Sequence, residues 1–137
     1  MSDAIDTAAD ADAAPPPPDA FAPGLFDWLL AAAPAAIDAL PYGVVTLSPD
    51  GQVLHYGATE SRLSGLSQDR VLGRDFFGTV APCMNNFLVA HRYATEPELD
   101  AVVDYVLTLR MAPCKVKLRL LRRAAAPRMY LVIERRV

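Results

Sequence analysis

Cysteine is scarce: Cys83 and Cys114 are the only two in 137 residues, with no Cys-x-x-Cys spacing and no histidine beside either. This excludes a zinc site or a disulfide-stapled scaffold and leaves two free thiols. Lysine and arginine are absent before Arg62, so the N-terminus lacks the basic region of a secretory signal. Long apolar runs are missing too. The longest uncharged stretch near the start, residues 28–37, is interrupted by Pro34 and is far shorter than the roughly 20 residues a membrane span needs. The reading is of a soluble, cytoplasmic protein with no membrane contact.

The chain has the length of one domain. Its 53% hydrophobic content is inflated by alanine, of which 14 of 23 lie in the first 40 residues. The net charge of −3 hides an acidic head and a basic tail. Asp3, Asp6, Asp10, Asp12 and Asp19 precede residue 20, whereas nine lysines and arginines from Arg110 onward face one acid, Glu134. A basic tail raises the question of nucleic acid. No aromatic interleaving for base stacking accompanies it, so no nucleic-acid partner is expected.

Residues 1–24 are Ala, Asp and Pro with a four-proline run at 15–18, which forbids a helix through it and reads as a mobile tail. Residues 25–40 follow as a helical cap, with Leu25, Phe26, Trp28, Leu29 and Leu30 on a short helix that Pro34 interrupts or restarts. From residue 41 the pattern turns to strand. Residues 43–47 and 52–56 flank Ser48-Pro-Asp-Gly51, which suits a type I turn in a hairpin. Short helical pieces are expected over 58–71, broken at Gly65 and Gly73, with Ser67 as an N-cap. A further helix is expected over 85–93, then strands over 101–110, 114–122 and 128–136. In the middle one, Lys115, Lys117 and Arg119 alternate with Val116, Leu118 and Leu120, so the basic cluster reads as a solvated sheet face. The sum is an α+β fold: a five-stranded antiparallel sheet with short helices on one side and an N-terminal helical cap. The arrangement, over residues 41–137, resembles that of PAS sensor domains.

The segment Val71-Leu-Gly-Arg-Asp-Phe-Phe-Gly-Thr-Val-Ala-Pro-Cys83 is similar to the stretch of the photoactive yellow protein family that ends at its chromophore-bearing cysteine. The resemblance extends back through Tyr56-Gly-Ala-Thr-Glu60 and Leu63-Ser-Gly65. It resumes after a shortened loop at Met111-Ala-Pro-Cys-Lys-Val-Lys117, and in all covers about residues 42–137. It implies that Cys83 carries p-coumaric acid (4-hydroxycinnamic acid) as a thioester, with Tyr56 and a protonated Glu60 as phenolate partners. Ser64 stands where the family has a threonine that hydrogen-bonds the tyrosine. Phe76, Val80, Ala81 and Pro82 would line the chromophore, and Met111 matches a residue that eases thermal re-isomerisation. Three departures accompany it: Leu66 replaces an arginine lid, the loop after Cys83 is shorter, and Leu109 replaces an aromatic.

Residue chemistry bears on the same positions. Tyr56 ends a strand and Glu60 follows four residues on in a helical turn, so their polar tips can converge. A buried phenolate cannot cheaply coexist with a second anion, so Glu60 is expected to be neutral and to donate. Proton transfer from Glu60 after light-driven trans-cis isomerisation would leave a buried carboxylate without a partner. Its cost of several kcal/mol rivals the stability margin of a small domain, which implies partial unfolding as the signal. Taken singly, Cys83 reads as a small buried hydrophobe, Tyr56 as a strand-end aromatic and Glu60 as a surface acid. His55 and His91 are isolated, which argues against haem, and Cys83-Met-Asn-Asn-Phe does not resemble a flavin-cysteinyl motif. The expectation is a blue-light receptor without catalytic turnover or metal, a monomer or weak dimer that signals to an unidentified downstream protein. The alternative is a chromophore-free PAS-fold interaction or scaffold protein, or a small-ligand sensor.

Overall fold

The computed structural model describes residues 16–108 and 113–135. Five strands form one antiparallel sheet: β1 (Gly43–Leu47), β2 (Val53–Tyr56), β3 (Leu99–Leu107), β4 (Cys114–Arg122) and β5 (Met129–Glu134), in spatial order β2-β1-β5-β4-β3. The central strands β1 and β5 are buried at every position, because they are mostly apolar and both sheet faces are covered, with Thr46 and Glu134 as buried polar residues. Alternation sorts their side chains. Val45, Leu47, Leu131 and Ile133 enter an inner cluster with Tyr56, Phe76 and Met84. Val44, Tyr130 and Val132 enter an outer one with Phe26, Leu29 and Ile37.

The outer cluster is roofed by α1 (Leu25–Ala31) and α2 (Pro34–Asp38), the second starting on its proline as the fixed φ of that residue favours. The roof is tied down by arginines. Arg119, only 4% exposed, donates to the Ala20 and Ala22 carbonyls and pairs with Asp100 through both nitrogens at 2.9 Å. Arg128 donates to the Leu30 carbonyl, and Arg123 pairs with Asp27 while lying 4.2 Å from the Phe26 ring centroid. Tyr42 donates to the Pro18 carbonyl. The Pro18, Ala20 and Ala22 carbonyls thus accept from side chains of the domain, alongside turn bonds from the Ala22 N–H to Asp19 and from the Leu25 N–H to Ala22.

The solvated basic face is thereby corrected at Arg119, which the cap covers, while Lys115 stays exposed and Lys117 half-buried. Lys117 pairs along the sheet with Asp104. Asp38, which flanks the cap, does not meet the basic strand. Its Oδ1 instead accepts from the Ala58 backbone N–H and from Gln68, and lies 2.9 Å from His55 Nε2.

On the inner side lie α3 (Ala58–Ser64), α4 (Gln68–Val71), a π-helical turn (Phe76–Val80), a 3-10 turn (Pro82–Met84) and α5 (Ala90–Thr95). Gly65 ends α3 with φ +80°, the left-handed cap that glycine adopts without strain. Ser67 occupies the N-cap of α4 but makes no side-chain cap bond. The helix expected over 85–93 begins only at Ala90, because Asn86 Oδ1 accepts the Leu88 and Val89 N–H groups and holds them in a turn. The strand ends expected at Arg110 and Arg136 lie outside the described residues.

Candidate functional site

Tyr56 closes β2 opposite Val45 and is 2% exposed. Eight residues on, at the end of α3, the buried Ser64 brings its Oγ within 2.9 Å of the Tyr56 hydroxyl. Ser64 Oγ also accepts the Leu66 N–H, so the hydroxyl pair is anchored to the backbone. Burial, then the nearby Glu60 charge, push the Tyr56 phenol well above its ordinary value. Tyr56 therefore stays protonated and has a proton to donate, either hydroxyl of the Tyr56–Ser64 pair being able to act as its donor.

Glu60, in the first turn of α3, is 1% exposed. Its two oxygens accept from Arg135 at 2.7 and 2.9 Å, a bidentate pair in which the guanidinium side chain is 19% exposed. The carboxylate is seated against Gly43 of β1, where a Cβ would stand only 2.1 Å from Glu60 Oε1. Burial pushes the Glu60 carboxyl above its ordinary value, against the hydrogen bonds and charge of Arg135, which pull it down. The same bond, with Glu60's charge, holds Arg135 more firmly protonated. Glu60 is thus buried as expected of the site, with a cation as its partner where a neutral, donating acid was expected.

Cys83 sits in the 3-10 turn as a free, half-buried thiol packed against the inner cluster that contains Tyr56 and Phe76. Two hydrogen bonds fix its backbone: the Cys83 carbonyl accepts from the Tyr105 hydroxyl and from Asn86 Nδ2. Upstream, the Phe76 N–H donates to the Gly51 carbonyl, and the Val53 N–H to the Arg74 carbonyl. These bonds bind the approach to the cysteine to the hairpin. Phe76 and Ala81 are buried, Val80 half-buried and Pro82 exposed, while Leu66 packs on the same cluster. Met111 and Leu109 lie outside the described residues.

The structure therefore gathers Tyr56, Ser64, Phe76, Ala81 and Cys83 around one core, with Glu60 beside Tyr56. Sequence reasoning missed Arg135, Gly43, Asn86 and Tyr105. A signal for the side of Arg135 was available, because period-two alternation carried one residue past β5 puts residues 131, 133 and 135 on one face. The histidines lie elsewhere: His55 contacts Asp38, and His91 stacks against Phe87. Among the described residues, no helix is long and apolar enough to cross a membrane.

No family model matches the chain. Photoactive yellow protein of Rhodothalassium salexigens is 32% identical over 104 residues, 74% of this chain and 83% of that protein. That of Rhodobacter capsulatus is 32% identical over 100 residues, 69% and 78% of the two chains. Among solved structures, the photoactive yellow protein domain of the sensor histidine kinase Ppr from Rhodospirillum centenum is 37% identical with a TM-score of 0.69. The match covers 75% of this chain and 93% of that domain. A PAS domain of an HTR-like protein from Haloarcula marismortui shares the fold at 19% identity and a TM-score of 0.56. With relatives of that identity and coverage over the same five-stranded PAS sheet, this chain belongs to the photoactive yellow protein family and is a PAS-type sensor domain.

Proposed function

We propose that the chain is a blue-light photoreceptor that carries p-coumaric acid as a thioester on Cys83. The observation that carries this reading is the buried pair of Tyr56 hydroxyl and Ser64 Oγ, with Glu60 one turn away, on the core against which the Cys83 thiol packs. The donor set fits a hydroxyaryl acid: a thiol at one end, a phenol that burial keeps protonated at the other, and apolar surface between. When bound, p-coumaric acid supplies a double bond that light isomerises, conjugated to an acidic phenol. Tyr56 and a protonated Glu60 would hold its phenolate oxygen, and Ser64 would orient Tyr56 through the hydroxyl pair. Phe76, Val80, Ala81 and Pro82 would wall the site, and the family resemblance assigns Met111 to thermal re-isomerisation. The hydrogen bonds from Tyr105 and Asn86 orient the backbone of Cys83.

On this reading the protein is a non-enzymatic cytoplasmic receptor, a monomer or weak dimer, that passes its state to a signalling protein. The similar domain in a sensor histidine kinase supports that class of partner. The bidentate Glu60–Arg135 pair favours one second reading, a PAS-fold sensor of a small non-covalent ligand, because it occupies the carboxyl that a phenolate would use. Exposure to an activated p-coumaric acid donor followed by intact-mass analysis separates the two. A single adduct, lost in Cys83→Ala and kept in Cys114→Ala, is expected. No adduct, or one on Cys114, refutes the photoreceptor.

A further inference from the structure

We infer that Arg135 is a latch on Glu60, a positioning residue that decides whether this carboxyl holds a proton; the inference deepens the photoreceptor reading and rests on it for its consequence. Both oxygens of a carboxyl 1% exposed accept from one guanidinium at 2.7 and 2.9 Å. Among the described residues, no other group substitutes for that cation. Tyr56 of β2 is a neutral phenol, and Ser64 of α3 is engaged with Tyr56. β1 offers Gly43, without a side chain, and β4 offers the free Cys114 thiol, which is not a cation.

A guanidinium bonded to both oxygens favours the carboxylate over the acid, so the latch opposes the donor role of Glu60. Two consequences follow. Holding an anionic phenolate beside Tyr56 is linked to proton uptake by Glu60 and to withdrawal of Arg135. Were Glu60 to lose its proton, Arg135 would be at hand to pair the carboxylate. The resulting charge is then compensated, and the end of β5 is drawn onto α3. Unfolding driven by an orphaned buried carboxylate is thereby weakened.

The test uses the full chain without chromophore and follows the Glu60 side-chain carboxyl by carbon-13 NMR across pH, the signal being assigned by its loss in Glu60→Gln. Removing the cation in Arg135→Met is expected to raise the proton affinity of Glu60 about tenfold to a thousandfold. Arg135→Lys, a point charge that cannot span both oxygens, is expected to titrate between wild type and Arg135→Met. Should Arg135→Met not fold, Arg135→Lys decides alone by lying above wild type. Glu60 titrating identically in the variants and wild type overturns the latch. That failure leaves attachment at Cys83 untouched, and a chain that takes no adduct fails the photoreceptor reading while leaving this titration intact.

Discussion

At the scale of single residues, the site is held by a close approach of backbone to carboxylate. Gly43 pairs with Ile133 across β1 and β5, and its missing side chain is the space that Glu60 fills. Gly43→Ala would put a Cβ 2.1 Å from Glu60 Oε1, so the carboxylate must leave its seat or the strands must part. A loss of ~1–3 kcal/mol is expected from such overpacking. Gly24→Ala is the control, since a Cβ there meets nothing within 4 Å. Urea unfolding of both variants checks this: equal midpoints would mean that Gly43 is not shaped by Glu60.

At the scale of elements, β4 connects the cap to its own edge of the sheet through Arg119. The Arg119 guanidinium beside Asp100 holds that carboxyl below its ordinary value, chiefly through their hydrogen bonds. Because the folded chain binds this proton less readily, the pair stabilises fully above the unfolded value near ~4 and is lost as pH falls through the lower folded value. The Asp100 side chain is 57% exposed, so solvent screening limits the effect to about 1 kcal/mol or less. Asp100→Asn is expected to be less stable than wild type at neutral pH, with the two urea midpoints converging on acidification below about pH 3. A gap that stays constant with pH would show that the pair is not ionic. The same strand explains what was legible beforehand. Period-two patterning located β1, β4 and the hairpin closely, and the Gly65 break set the end of α3. Arg119 was legible as a charge on a sheet face but not as a buried one, because its burial depends on backbone carbonyls 97 and 99 residues away. For the site, local motifs marked Tyr56, Glu60, Ser64 and Cys83. The partner of Glu60 came from just past the end of β5, 75 residues distant; alternation gives the face of Arg135 but not the residue it meets.

At the scale of the whole molecule, the sheet separates two clusters, and any signal must cross it. The inner cluster packs against Cys83, and the outer one holds the cap through Leu25, Phe26 and Leu29 over Leu121, Tyr130 and Val132. β5 contributes to both, so movement of its end at Arg135 is felt under the cap. We propose that illumination loosens the residues before about Leu40. Trp28, the only tryptophan, packs on the outer cluster and reports it. Its emission and the protease sensitivity of this segment are expected to change with light, and deleting the segment is expected to slow dark recovery while leaving colour. Unchanged emission and cleavage would remove the cap from the signal. The central claim is that this fold holds an ionised p-coumaroyl group on Cys83, and the absorption spectrum of the reconstituted chain before and after blue light tests it most directly. The account predicts a visible band in the dark that bleaches on illumination and returns, absent from Cys83→Ala. A chain that gains no visible band, or one that light leaves unchanged, contradicts it.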